Sequence, residues 1–149
     1  MLWIECSNTA DVAALPAPTA ELPALRLTVV AGQCEQPDYT FQQRAIAIGR
    51  GATPTDTAGR MRHNQIAFLE VRDGTTETVA RAHARLEFDD DLHAYVLFNE
   101  SSTNPTFIRR DGRNLRVAPR DPRGVRVEPG DELQLGRAVL KVTPTDLNS

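Results

Sequence analysis

The sequence is poor in several residue types that usually reveal a function. It has two cysteines, Cys6 and Cys34, and neither shows metal-ligand spacing to any of the three histidines, so neither a disulfide framework nor a zinc site is predicted. No apolar run approaches the roughly 20 residues needed to cross a bilayer, and the amino terminus lacks the basic start and long apolar stretch of a signal peptide. These absences predict a cytoplasmic protein in a reducing compartment, without cofactor or metal ion.

Lysine is almost absent too. Lys141 is the only lysine among 17 basic residues, against 20 acidic ones, and the formal net charge is −3. This balance gives no overall attraction to nucleic acid or to an anionic membrane. The bias towards arginine has two explanations, a GC-rich genome or selection for forked donors that hold phosphate or carboxylate in two places.

Helical signals are the third absence, because no capping box is followed by an apolar run of helical period. Instead, short apolar segments are separated by turn residues about every eight to twelve positions, which predicts an all-β, antiparallel β-sandwich. We predict one domain over 25–143, an N-terminal arm over 1–24 with an edge strand at 1–6, and a C-terminal tail over 144–149. The predicted strands cover 25–29, 39–48, 65–71, 84–88, 94–98, 106–110, 115–117, 125–127, 132–135 and 139–143.

The stretch 78–88 organises the chain. Its second half alternates, with Ala84, Leu86 and Phe88 on one face, as in a half-buried strand. Its first half carries an arginine and a histidine in a loop. Two more polar loops, 51–63 and 99–105, flank other strands, and the first is longer than the usual connection of about four to six residues. We therefore expect the sandwich to present loops to a partner.

Four blocks of sequence carry a resemblance: Ile48-Gly49-Arg50, then 79–84 (VARAHA), 102–107 (STNPTF) and 129–136 (PGDELQLG). In order and spacing they resemble the forkhead-associated (FHA) domain, over about 25–142. The resemblance implies an FHA-like (SMAD-FHA type) sandwich of about eleven strands, whose apical loops bind phosphothreonine peptides. It also implies that the protein is not an enzyme.

Residue by residue, the resemblance gives Arg50 the contact with the phosphate and places Arg81 at a position that often carries a basic residue near it. Asn104 matches the asparagine that bonds the peptide main chain, within the block that also holds Ser102 and Thr103. We therefore predict that these five residues bind the phosphopeptide.

The same resemblance gives Gly49 and His83 a structural role, since the family histidine mainly holds the loops together. Two positions depart from the family pattern. Ala80 replaces a serine whose hydroxyl bonds phosphate, a loss on the order of 1.5–3 kcal/mol. Pro105 replaces a glycine and pushes Asn104 towards extended geometry.

Three functions follow from these observations. The first is a non-catalytic phosphothreonine-binding module in Ser/Thr kinase signalling, in a bacterial setting. The second is a diverged scaffold of the same fold that binds partners without phosphate or self-associates. The third is a weak nucleic-acid binder that uses the arginines of 109–126, although aromatic stacking platforms are missing.

A short repeat adds a variant of the second function. Thr-Pro-Thr-Asp occurs at 53–56 and again at 143–146. This recurrence has two explanations: it arose by chance, or a phosphorylated threonine of one copy docks into the loops of another copy. An enzyme is not predicted, because the chain has no Gly-x-Ser-x-Gly turn and no glycine-rich phosphate loop before a helix.

Overall fold

The computed structural model describes residues 22–55, 59–101 and 103–144. They form eleven strands and one 3₁₀ turn, η1, at Thr76–Thr78. The strands are β1 Leu25–Ala31, β2 Asp38–Phe41, β3 Ala45–Arg50, β4 Ile66–Phe68, β5 Ala84–Asp89, β6 Ala94–Asn99, β7 Thr106–Arg110, β8 Arg113–Arg116, β9 Val125–Arg126, β10 Glu132–Leu135 and β11 Ala138–Pro144.

Two sheets make up the fold. One has six strands in the order β2-β1-β11-β10-β7-β8, and the other has five in the order β4-β3-β5-β6-β9. Their inner faces share one apolar core, to which Leu27 and Leu140 contribute from the first sheet and Ile48, Leu86 and Leu97 from the second, all with no exposed surface. The predicted β-sandwich is therefore confirmed.

The pairing is antiparallel except at one edge, where β4 runs parallel to β3 and Ile66 lies opposite Ile48. Parallel neighbours need a long connection between them. Here the polar loop after Arg50 supplies it, and this explains why that loop is longer than usual.

The predicted single strand over 39–48 is wrong. The chain forms β2 and β3 there, in different sheets, with an exposed turn between them. The apolar residues Phe41 and Ile46 are an odd number of positions apart, so one straight strand would have put them on opposite faces. Crossing between sheets lets both pack against the core.

The predicted strand over 65–71 is also too long, because β4 ends at Phe68. Leu69 and Glu70 consequently belong to a loop that continues into η1. Asp73 shapes this loop, since its carboxylate accepts hydrogen bonds from the Thr76 main chain (2.6 Å) and hydroxyl (2.7 Å). Those bonds hold the pKa of Asp73 well below its usual range.

Among the arginines of 109–126, Arg110 is paired with a buried carboxylate. Its guanidinium donates two hydrogen bonds, of 2.9 and 2.8 Å, to the carboxylate of Asp131. Asp131 is only 1% exposed, and it also accepts the Glu128 main-chain N–H at 2.8 Å. The hydrogen bond to Asp131 raises the pKa of Arg110.

Within the described residues, no helix is long and apolar enough to cross a membrane. The same part of the chain contains no cluster of side chains suited to hold a metal ion. Cys34 is a free cysteine, whereas Cys6 and the predicted edge strand over 1–6 lie outside the described residues.

Candidate functional site

Loops from both sheets meet at one end of the sandwich. We call them the apical loops: the β3–β4 loop (51–65), the β4–β5 loop (69–83), the β6–β7 loop (100–105) and the β10–β11 turn (136–137). Thr78 joins three of them. Its carbonyl accepts the Asn104 side-chain amide at 2.5 Å, and its hydroxyl accepts the Arg137 main-chain N–H at 2.8 Å.

Two glycines let the β4–β5 loop approach the sheets closely. A Cβ on Gly49 would lie 2.0 Å from the Arg81 carbonyl oxygen, and one on Gly136 would lie 2.4 Å from the Thr78 carbonyl oxygen. Real Cβ atoms do not come that near to backbone. Gly136 also has a φ of +63°, which favours glycine. The segment 78–81 is thus packed between the ends of β3 and β10.

Asn64 fixes the other side of this segment. Its side chain is buried, and its amide nitrogen donates to the carbonyls of Gly51 (2.8 Å) and Arg81 (3.0 Å). Its amide oxygen accepts a hydrogen bond from Arg62 at 2.7 Å. Sequence reasoning missed Asn64, although a single polar residue just ahead of a short apolar strand was the available signal.

His83 links the β4–β5 and β6–β7 loops from inside the protein. It has no exposed surface. Nδ1 accepts the Ala80 main-chain N–H at 2.9 Å, and Nε2 lies 3.2 Å from the Pro105 carbonyl. Because Nδ1 is an acceptor, the proton of the neutral ring is on Nε2. Burial lowers the pKa of His83 to about 4.

Arg50 lies at the end of β3, against the same loop. Its main-chain N–H donates to the Ala80 carbonyl (3.0 Å), and its Nε donates to the Val79 carbonyl (2.9 Å). Nη1 forms an ion pair with the Glu70 carboxylate, and Nη2 has no acceptor among the described residues. The side chains of Arg50 and Glu70 are 25% and 53% exposed, so a carboxylate already occupies the open side of this arginine.

Arg81 differs from Arg50 in the contacts of its side chain. Its main chain is fixed by Asn64 and packed on Gly49, whereas its side chain is exposed and makes no hydrogen bond or ion pair with any described residue. The structure therefore brings the main chain of 79–80 against Arg50 and leaves the Arg81 side chain exposed to solvent.

The β6–β7 loop supplies the remaining predicted residues. Asn104 donates to Thr78 and accepts the Thr103 hydroxyl at 2.7 Å. Because a side-chain amide has two N–H donors and two lone pairs, one of each remains for a ligand. Ser102 lies outside the described residues. Pro105 contributes its carbonyl, which accepts the Gly136 main-chain N–H at 2.9 Å and faces His83.

The repeated Thr-Pro-Thr-Asp motif falls at two different places. Thr53 and Thr55 are exposed in the β3–β4 loop, whereas Thr143 is half-buried in β11. Asp56 and residues 145–146 lie outside the described residues.

Charged and neutral N–H groups without an acceptor among the described residues remain at the apical end, on Arg50, Arg81 and Asn104. Arg50 is also paired with one carboxylate, that of Glu70. A more highly charged anion than a carboxylate would bind these donors more strongly.

Comparison with known proteins matches this fold. The family model of the FHA domain matches residues 47–136. A 62-residue segment is 34% identical to the human angiogenic factor with G patch and FHA domains 1, covering 42% of this chain and 8% of that protein. The mouse protein gives the same figures. The chain thus spans less than a tenth of the length of these curated relatives.

Solved structures agree in fold. An FHA domain of an Arabidopsis thaliana hypothetical protein is 23% identical, with a TM-score of 0.60, over 85% of this chain and 90% of that one. A chain from a structural and functional analysis of phosphothreonine-dependent FHA domain interactions is 22% identical, with a TM-score of 0.51, over 83% and 99% of the two chains.

Proposed function

This chain belongs to the FHA domain family, and on that premise we propose that its apical loops bind phosphothreonine peptides in Ser/Thr kinase signalling. Members of this family are non-catalytic, phosphothreonine-dependent protein-interaction modules. Arg50 and Arg81 bind the phosphate in this proposal. Asn104 bonds the peptide main chain, with Ser102 and Thr103 beside it, and Gly49 and His83 hold the loops in place.

The observation that carries the proposal is the state of Arg50. Its Nε is held by the Val79 carbonyl, so the guanidinium is oriented before any ligand arrives. Its Nη1 forms an ion pair with the Glu70 carboxylate. An anion beside this guanidinium is therefore stabilised already in the absence of a ligand. The pair is partly exposed, and such pairs contribute about 0.2–1 kcal/mol, so a ligand can replace Glu70 at low cost.

Phosphothreonine is the anion best suited to do so. It carries about −1.5 to −2 charges and three strong acceptor oxygens. Each hydrogen bond to a charged group contributes about 1.5–3 kcal/mol, so contacts to Arg50 and Arg81 together exceed the cost of displacing Glu70. A peptide carboxylate has neither the charge nor the third oxygen.

Ala80 lowers the expected affinity. Its main chain is fixed by bonds to Arg50 and His83, yet its methyl group offers the phosphate no donor. Relative to a serine, the loss corresponds to roughly ten- to a hundredfold in affinity. We therefore expect weak binding, with Arg81 offsetting part of the loss.

A peptide titration tests the proposal. A phosphothreonine peptide library, with each sequence also present in unphosphorylated form, is titrated against wild type, Arg50→Ala and Arg113→Ala. Arg113 is exposed on β8 and serves as the matched control. Phosphate-dependent binding should fall at least tenfold in Arg50→Ala and stay unchanged in Arg113→Ala.

Equal binding of phosphorylated and plain peptides would overturn the proposal in favour of a phosphate-independent scaffold. Binding of single-stranded DNA with a steep salt dependence, and no peptide binding, would favour the nucleic-acid alternative instead.

Self-association is a second proposal, supported by the exposure of Thr53 and Thr55 on an apical loop. Phosphorylation of either threonine would give one copy a ligand for the loops of another. Sedimentation of the chain after treatment with a Ser/Thr kinase should then show dimers that Arg50→Ala abolishes. Mass spectrometry of native protein without phosphate on either threonine would refute it.

A further inference from the structure

A cavity lies beside Asn104, between the β6–β7 loop and the end of β8. Its volume is about 120 Å³, far more than the roughly 10–15 Å³ that a single water needs. The walls that matter here are formed by Ser101, Asn104 and Arg116, with Asn99 below. None of the described residues that line the cavity carries a carboxylate. It is therefore polar and free of the kind of competitor that Arg50 has in Glu70.

The buried part of the wall offers a donor. Ser101 is 6% exposed, and its hydroxyl oxygen accepts the main-chain N–H groups of Asn104 (3.0 Å) and Thr103 (3.4 Å). A hydroxyl has two lone pairs and one hydrogen, so both lone pairs are occupied. The hydrogen is donated to no described residue, and an acceptor inside the cavity would satisfy it.

Asn99 is fixed within the wall of the cavity. Its amide nitrogen donates to the Val117 carbonyl at 3.1 Å, and its oxygen accepts the Ser101 main-chain N–H at 2.9 Å. Each bond uses one of the two donors or one of the two lone pairs of the amide. Among the described contacts, Asn99 therefore keeps one N–H for an acceptor, as Asn104 does.

Arg116 supplies a positive charge among the residues that line the cavity. It ends β8, opposite Phe107, and its exposed side chain makes no hydrogen bond or ion pair with a described residue. Arg110, on the neighbouring strand, differs because it forms an ion pair with Asp131. A forked guanidinium that lines the same cavity as hydroxyl and amide donors matches a planar carboxylate, which accepts two parallel hydrogen bonds.

We propose that this cavity is a subsite for an acidic side chain, aspartate or glutamate, that flanks the phosphothreonine in the bound peptide. The inference rests on the proposed function, because Asn104 lines the cavity and bonds the Thr78 carbonyl, next to the Val79 carbonyl that holds Arg50. Arg116 and Ser101 are then specificity-determining residues, and the substrate class narrows to acidic phosphothreonine sequences.

Peptide arrays test the preference directly. The phosphothreonine stays constant, and each flanking position is varied among Asp, Glu, Asn and Gln. Wild type and Arg113→Gln should prefer the acid at one position by about three- to tenfold. Arg116→Gln should lose that preference and bind the Asn and Gln peptides as wild type does. Phosphate-dependent binding without any acid preference, or a preference that survives in Arg116→Gln, would overturn the subsite and leave the proposed function standing.

A second measurement reads the subsite without phosphate. N-acetyl-aspartate amide is titrated into the ¹⁵N-labelled protein at millimolar concentration, with N-acetyl-asparagine amide as control. Saturable shifts of the Arg116 Nε–H and the Asn104 main-chain N–H should appear with the acid alone, and should vanish in Arg116→Gln. If these shifts are absent, the subsite is refuted even if phosphopeptides bind. If they are present while no phosphopeptide binds, the carboxylate site stands and the proposed function fails.

Discussion

Two arginines that face carboxylates show how differently the two regions of this sandwich are built. Arg110 holds Asp131 with two hydrogen bonds, and that carboxylate is 1% exposed and bonded further to the main chain. Arg50 meets Glu70 through one nitrogen, and the Glu70 side chain is 53% exposed. The carboxylate of the first pair is enclosed, whereas that of the second is open to water, so the second pair can separate without leaving a buried carboxylate.

This contrast separates structural ion pairs from exchangeable ones. Removing one partner of a buried pair leaves an uncompensated charge in a poorly solvated place, whereas breaking an exposed pair returns both groups to water. A recognition site needs the second kind, because its ligand must replace the resident partner.

The largest effect should come from Arg110→Ala. It leaves the buried Asp131 carboxylate without its cation, which should lower the free energy of unfolding by about 3 kcal/mol. Urea denaturation measures the change. Arg126→Ala is the control, because the Arg126–Glu128 pair is exposed and its loss should cost less than about 1 kcal/mol. Equal costs would mean that the Asp131 pair is no more enclosed than its neighbour.

The second-largest effect should come from acidification, which should lower the free energy of unfolding through His83 in the apical loops. The folded protein keeps His83 neutral down to about pH 4, whereas the unfolded chain takes up the proton near its ordinary pKa of roughly 6.5. Stability therefore falls as the pH drops through this window, by about 2 kcal/mol between pH 7.5 and 5.

Denaturation at both pH values checks this expectation. His83→Gln should be less stable at pH 7.5 but lose this part of the pH dependence. His93→Gln should keep it, since His93 is exposed on the β5–β6 turn. A pH dependence unchanged in His83→Gln would show that another group is responsible.

Asn64→Ala should have a smaller and more local effect. It removes two hydrogen bonds that join the Arg50 and Arg81 loops, so we expect a loss of about 1–2 kcal/mol in unfolding free energy and several-fold weaker phosphopeptide binding. Hydrogen exchange should rise at the Arg50 and Asn64 amides. Protection unchanged at both would contradict a positioning role for Asn64.

The smallest effect on stability should come from Glu70→Gln, below about 1 kcal/mol. Its effect on binding has the opposite sign: without a resident anion, the affinity of Arg50 for a phosphothreonine peptide should rise about two- to fivefold. Glu77→Gln in the same loop is the control, because glutamine keeps the acceptor for the Gly74 N–H. Calorimetry measures the peptide affinities of both variants and of wild type. Equal affinities of Glu70→Gln and wild type would rule out Glu70 as a competitor.

The sequence predicted most of the sandwich because alternation is a local signal. β7 and β10 were predicted with their observed bounds, and β5 and β6 extend one residue further than expected. Prediction was wrong where two strands from different sheets follow each other, at β2 and β3. There the alternation shifts by one position, and without the packing it looks like a single irregular strand.

The site was less predictable, because its contacts join residues distant in sequence. Nothing local in the sequence pairs Glu70 with Arg50, since that pair forms only because β4 ends at Phe68. Asp131 likewise meets Arg110 only through the pairing of β7 with β10. Motif resemblance named Arg50, Arg81 and Asn104, but it could not reveal Glu70, Asn64 or the cavity at Arg116.

The main chain of Ala80 is held from two sides. Its N–H donates a hydrogen bond to His83 and its carbonyl accepts one from Arg50, whereas its methyl group forms no hydrogen bond. Under the proposed function, the side chain at position 80 affects ligand binding rather than folding, because Ala80→Ser would add a hydroxyl donor while both main-chain bonds stay in place. A single codon change would then alter the affinity for phosphothreonine and leave the scaffold as it is.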